Sequence, residues 1–130
     1  MPASDVISTL TQLTSDLWLP SETEVPWTIA TWSVDTLAED VIRQKLQRKD
    51  SAPIAKLSLA ALEIEVEQRC QSYGPVGKRL MAEHRQLFNF LKQTCDRVRV
   101  LRVGTVTVDI LVVGELEDEA VILQTQSIET

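Results

Sequence analysis

The sequence predicts an α+β protein, an α/β/α sandwich on an antiparallel or mixed sheet. The first two-thirds of the chain repeats its apolar residues mostly at helical spacing, and the last third switches to strand period with short breaks. In that last third Val106, Val108, Ile110 and Val112 take one alternation, while Leu111 and Val113 make the other partly apolar. A sheet with two apolar faces needs helices on both sides.

Taken in order, Ser4 is placed to cap a helix whose positions Val6, Leu10, Leu13 and Leu17 keep the 3.6 period, with Pro20 ending it. After the polar turn Ser21 to Glu24, the aromatic and β-branched run Trp27 to Trp32 reads as a strand. A second helix is expected over Val34 to Leu46, with Leu37, Val41 and Ile42 on one side. Pro53 to Leu59 allows a short strand. From Ala60 to Ser72 no turn signal intervenes, and Leu59, Leu62, Val66 and Cys70 group at helical spacing. Tyr73-Gly74-Pro75 breaks the chain before the longest helix, Val76 to Cys95, whose stripe is Val76, Leu80, His84, Leu87, Phe88, Leu91 and Cys95. Val98 to Val103, Thr105 to Val113 and Ala120 to Ser127 then form a C-terminal three-stranded meander, its connections short enough for antiparallel neighbours.

The charges are segregated along the chain. Residues 1–42 carry seven acids and no base, residues 103–130 carry six acids and no base, and all thirteen Lys and Arg lie between Arg43 and Arg102 beside six acids. The two ends are therefore candidates for one acidic surface, which would repel phosphates and attract basic proteins. With 130 residues and 44% hydrophobic content, one domain spanning 1–130 is expected. The N-terminal stretch has neither a basic n-region nor a continuous apolar run, and no segment approaches the ~20 apolar residues of a spanning helix, so a cytoplasmic protein without membrane contact is expected.

Little points to chemistry. Cys70 and Cys95 read as free thiols, and a lone histidine leaves no zinc set. His84 falls on the apolar stripe of the long helix and reads as a satisfied histidine at the core edge rather than a catalytic base. The glycines form no phosphate-binding pattern. Glu63, Glu65 and Glu67 diverge on a helix and read as a solvated face. The basic residues of the middle segment are dispersed, without interleaved aromatics, which argues against direct nucleic-acid binding. No cofactor, no metal of its own and no catalytic residue is expected.

The run from Val100 through Gly104 to Gly114-Glu115, closed by Glu129-Thr130, resembles the nuclease A inhibitor family of cyanobacteria. The segment Ser21 to Trp27 after an amphipathic helix, the strand ending at Trp32, and Ser51-Ala52-Pro53-Ile54 also resemble corresponding parts of that family. The resemblance spans essentially the whole chain and is weakest from Ala60 to Lys78. It implies a non-enzymatic α/β/α sandwich that inhibits a metal-dependent, sugar-non-specific DNA/RNA nuclease by filling its active-site cleft. A C-terminal threonine that reaches toward the nuclease's divalent metal corresponds to Thr130, and a glutamate after the first helix corresponds to Glu22. A glutamine and a tryptophan before the long helix fall on Cys70 and Ser72 in a gapless register, or on Gln71 and Tyr73 after a one-residue shift. The candidate partner-binding residues are thus Glu22, Glu24, Gln71, Tyr73, Glu129 and Thr130. The alternative is a divergent acidic module that binds another basic protein.

Overall fold

In the computed structural model, which describes residues 2–21 and 23–129, one sheet organises the chain. It is built from β1 (Thr28–Ser33), β2 (Ile54–Leu57), β3 (Arg97–Val103), β4 (Thr107–Glu115) and β5 (Glu119–Ile128). Their order across the sheet is β1-β5-β4-β3-β2 and every pairing is antiparallel, so the mixed alternative falls away. The meander β3-β4-β5 is its centre, as expected.

Alternation along these strands creates two cores. Val100, Val108, Ile110, Val112, Val121 and Leu123 face α1 (Ala3–Leu13), α3 (Leu59–Cys70) and α4 (Gly74–Thr94), where Val6, Leu10, Leu62, Val66, Leu87 and Phe88 are buried. Leu101, Val103, Leu111, Val113, Ala120 and Ile122 face the other way, onto Ile42 of α2 (Glu39–Lys45) with Leu37 and Leu46 beside it. Among the described residues, twenty buried ones make the first core and seven the second. Most of the hydrophobic stabilisation, about 1.5–3 kcal/mol per large side chain, therefore lies on the three-helix side.

Several boundaries differ from the sequence expectation for local reasons. Pro2, not Ser4, stands at the N-cap of α1, and the helix stops at Leu13 because Thr14 donates its hydroxyl back to the Leu10 carbonyl at 2.8 Å and Asp16 takes a left-handed φ of 60°. Leu17 is buried all the same, carried by the loop. The expected helix Val34 to Leu46 breaks into a 3₁₀ turn, Val34–Thr36, and α2. The Thr36 hydroxyl bonds the Ser33 carbonyl at 2.7 Å and Ala38 is extended, so the helix restarts at Glu39 with its two acids at the positive end of the dipole. Ser58 caps α3 by accepting the Ala61 amide at 3.1 Å, a start signal that cuts the expected strand short at Leu57. Val76 and Val106 are exposed, Val76 on the solvent side of α4's first turn and Val106 in the loop before β4.

His84 lies fully buried in α4 between Trp27 and Phe88. The Trp27 indole N–H donates to Nε2 at 3.0 Å, and Nδ1 lies 2.8 Å from the Leu80 carbonyl. Both contacts are satisfied only by the neutral ring carrying its proton on Nδ1. Burial lowers the pKa from 6.5 to about 4, against the smaller opposing pull of the Leu80 carbonyl. The unfolded chain therefore takes up a proton in a range where the folded one does not. The contribution of this residue to stability is full well above pH 6.5 and is lost as the pH falls toward 4. Urea unfolding should show a loss of about 2 kcal/mol between pH 7 and 5 from this residue, and an NMR titration of the single histidine should show no protonation above pH 5; an imidazole titrating near 6.5 would contradict the buried geometry.

Candidate functional site

The run of β5 gives the sandwich two distinct ends. At one, Glu119 pairs Ser33, and the acidic turn Glu117, Asp118, Glu119 lies against Pro2 and Ala3 at the start of α1. At the other, Ile128 pairs Thr107, the loop after α1 bonds β5 through Val25 and Thr125, the loop 104–106 bonds Glu129 through Val106, and the 3₁₀ turn Gln71–Tyr73 meets the loop after α1 where Tyr73 packs on Trp18. The acids of the last segment are therefore divided, Glu117, Asp118 and Glu119 at one end and Glu129, bonded to Val106, at the other. Asp109 leaves the surface altogether. It is 2% exposed, paired with Arg48 at 2.8 Å and supplied by the Gln124 and Gln126 amides at 3.2 and 3.0 Å.

The loop after α1 is held at the second end by its backbone. Trp18 and Pro26 form an isolated antiparallel bridge, and the Trp27 amide donates to the Leu17 carbonyl at 3.2 Å. Ser21 folds the tip, its hydroxyl donating to the Thr23 carbonyl at 2.8 Å and accepting the Thr23 amide at 3.2 Å. Pairing of β1 with β5 stops at Gln124, and the loop takes over, with the Thr125 hydroxyl donating to the Val25 carbonyl at 2.8 Å. Glu24 is exposed on this loop.

Tyr73 stands edge-on to Trp18 with ring centroids 5.8 Å apart and remains 38% exposed. Gln71 is exposed and lines a groove of about 310 Å³ between α3 and α4, with Gly77 and Met81 in its wall and Lys78 and Arg85 at its rim. The one-residue shift thus corresponds to two exposed side chains, whereas the gapless register pairs exposed Ser72 with Cys70, which belongs to the core. Glu129 is half-buried; its amide donates to the Val106 carbonyl at 2.8 Å and its carboxylate pairs with Arg102. Glu24, Gln71, Tyr73 and Glu129 are thus gathered at one end of the molecule. Glu22 and Thr130 lie outside the described residues.

Arg102 also reaches Glu65 of α3 at 3.1 Å, and Glu65 accepts Arg69 at 2.7 Å. Arg69 donates in turn to the Pro20 carbonyl and the Ser127 hydroxyl, both at 2.9 Å. Sequence reasoning placed Glu65 on a solvated face and Arg102 among dispersed bases. The Glu65–Arg69 spacing of four was the available signal, but nothing in one sequence aligns α3 with β3. Glu63 and Glu67 do diverge from Glu65, meeting Lys92 at 2.9 Å and Arg85 at 3.9 Å.

Residues 4–130 match the family model described as Nuclease A inhibitor-like protein. The chain belongs to that family. No curated protein matches it. Among the described residues, no helix is long and apolar enough to cross a membrane, and no group of three or more His, Cys, Asp or Glu is placed to hold a metal ion. The side chains most suited to catalysis are also closed off in this inhibitor-like chain. Both nitrogens of His84 are occupied, burial raises the Cys70 thiol, and burial with help from Asp96 pushes Cys95 up to about 11. The two cysteines are free and sit near opposite ends of α4, Cys70 with its backbone carbonyl against Gly77 and Cys95 at the helix C-cap with its Sγ beside Gly114.

Gly77 sets the position of the Gln71–Tyr73 turn. A Cβ at this residue would overlap the Cys70 carbonyl oxygen and crowd the Tyr73 Cβ at 3.1 Å. Gly74, at φ 57°, turns the chain from that 3₁₀ segment into α4, where Pro75 sits in the first turn at no hydrogen-bond cost. Gly77→Ala should therefore destabilise the fold by about 1–3 kcal/mol in urea unfolding and shift the amide resonances of Gln71 to Tyr73; unchanged stability would refute the tight packing.

Proposed function

We propose that residues 1–130 act as one inhibitor domain that blocks the active-site cleft of a metal-dependent, sugar-non-specific nuclease and catalyse nothing themselves. The match of nearly the whole chain to the nuclease A inhibitor-like family carries this reading. The gathering of Glu24, Gln71, Tyr73 and Glu129 at one end of the sandwich supports it, because a plug needs its contacts on one convex surface.

In a chain that ends at Thr130, the terminal carboxylate stands in for the scissile phosphate. It offers anionic oxygen to the nuclease's divalent metal, or to the metal's water, and to cationic side chains around it. Unlike a phosphodiester it has no bond there to cleave. Glu22 adds a second carboxylate from the loop after α1, with Glu24 beside it. Gln71 and Tyr73 supply an amide and an aromatic ring. The net charge of −6 favours approach to a protein whose cleft holds phosphates. The compartment is cytoplasmic on this reading.

One departure favours a second reading. Tyr73 stands where the shifted register would want tryptophan, and its ring is engaged by Trp18. A different basic protein is then the partner, held by the same end.

Titration of the chain into a metal-dependent, sugar-non-specific nuclease, with DNA hydrolysis as readout, tests the first reading. The intact chain should inhibit, and deletion of Thr130 should weaken inhibition by about 30-fold or more, the loss expected of an interface anchor. Glu22→Gln should cost roughly tenfold, and the association rate should fall as salt rises. Absence of inhibition by the intact chain would turn the assignment to the second partner.

A further inference from the structure

We propose that Arg102 and Arg69 are positioning residues that preset the contact end of the molecule before any partner arrives. The proposal rests on the inhibitory reading for its consequence, but its structural content is independent of any nuclease.

Four charged side chains from three places in the chain meet here: Glu65 and Arg69 of α3, Arg102 of β3 and Glu129 beyond β5. Their side chains are 18–32% exposed, so the pairs are neither buried nor freely solvated. Each guanidinium spans two carboxylates. Arg102 binds Glu129 through Nη2 and both oxygens of Glu65 through Nη1; Arg69 binds Glu65 through Nη2 and approaches Glu129 at 3.7 Å. Through Nη1, Arg69 also holds the Pro20 carbonyl and the Ser127 hydroxyl. One network therefore ties down the loop that carries residues 20–24 and the segment that carries residues 127–129.

Such an arrangement is poorly suited to stability alone. Ion pairs of intermediate exposure contribute little, and apolar residues of similar size commonly do as well. The planar, five-donor fork of arginine does fix direction, and chain termini fray unless something holds them. Among the described residues, Glu129 has one backbone bond beyond β5, to Val106, and the network supplies the side-chain restraint. Presetting both segments removes ordering costs that would otherwise fall on binding.

A double-mutant cycle with the terminal residue separates positioning from general structure. Arg102→Met, made in the intact chain and in a chain lacking Thr130, is assayed against the same nuclease. Inhibition should fall on the order of tenfold in the intact chain and hardly at all in the truncated one. Equal losses in both backgrounds, or no loss in an intact chain that does inhibit, would overturn the proposal. The partner-free readout is amide exchange at Glu129, which should quicken about fivefold or more in Arg102→Met and stay unchanged in the control Arg79→Met. Unchanged exchange in Arg102→Met overturns the proposal whether or not the nuclease is inhibited. Glu65→Gln, which keeps the side-chain shape, gives the same two readouts where Arg102→Met does not fold.

Discussion

Strand β4 has neighbours on both edges and apolar side chains on both faces, with every residue from Val108 to Gly114 buried. A strand of that kind cannot lie at a surface, since each face would leave several large side chains in water at about 1.5–3 kcal/mol apiece. Helices must therefore cover both sides, and the chain can leave the layers only at the two ends of the sheet. The ends thus collect every loop, along with the polar and functional residues that loops carry. That constraint explains why segments as distant in sequence as Pro20, Arg69 and Glu129 meet at one end.

The sheet centre, the long helix and the two-sided burial were legible in the sequence because all three depend on periodicity. The helical spacing of Leu59, Leu62, Val66 and Cys70 is matched by α3, since a strand there would have required a turn signal that is missing. Capping and local side-chain competition were harder to read. Thr14 and Thr36 end or interrupt helices by bonding their own backbone, and those choices depend on geometry a propensity cannot supply. Gln71 and Tyr73 could be named through the family resemblance with a one-residue shift, whereas the links from Arg69 and Arg102 to Glu129 could not be read from the chain at all. Pairing between a helix and a strand depends on register across the sandwich, which one sequence does not encode in any short pattern.

The charge map has a related lesson. Counting acids by segment predicts one negative surface, yet the fold separates them: some at the β4–β5 turn, some at the opposite end, and Asp109 beneath Arg48 and two glutamines. Glu129 in turn is paired with Arg102. Net charge still governs long-range approach, but the sign at any one patch is set by which acids the basic middle segment has neutralised.

The three tryptophans occupy three different environments. Trp27 is enclosed against His84, Trp18 lies beside Tyr73 at the end that carries Glu129, and Trp32 sits on the α2 side under Lys45 at 5.1 Å. The protein therefore carries its own set of optical probes, one for the interior, one for the end where Tyr73 lies and one for the far layer. Replacing them singly with phenylalanine would assign each emission contribution, after which any change at the Tyr73 end of the molecule is visible in Trp18 fluorescence without an attached dye.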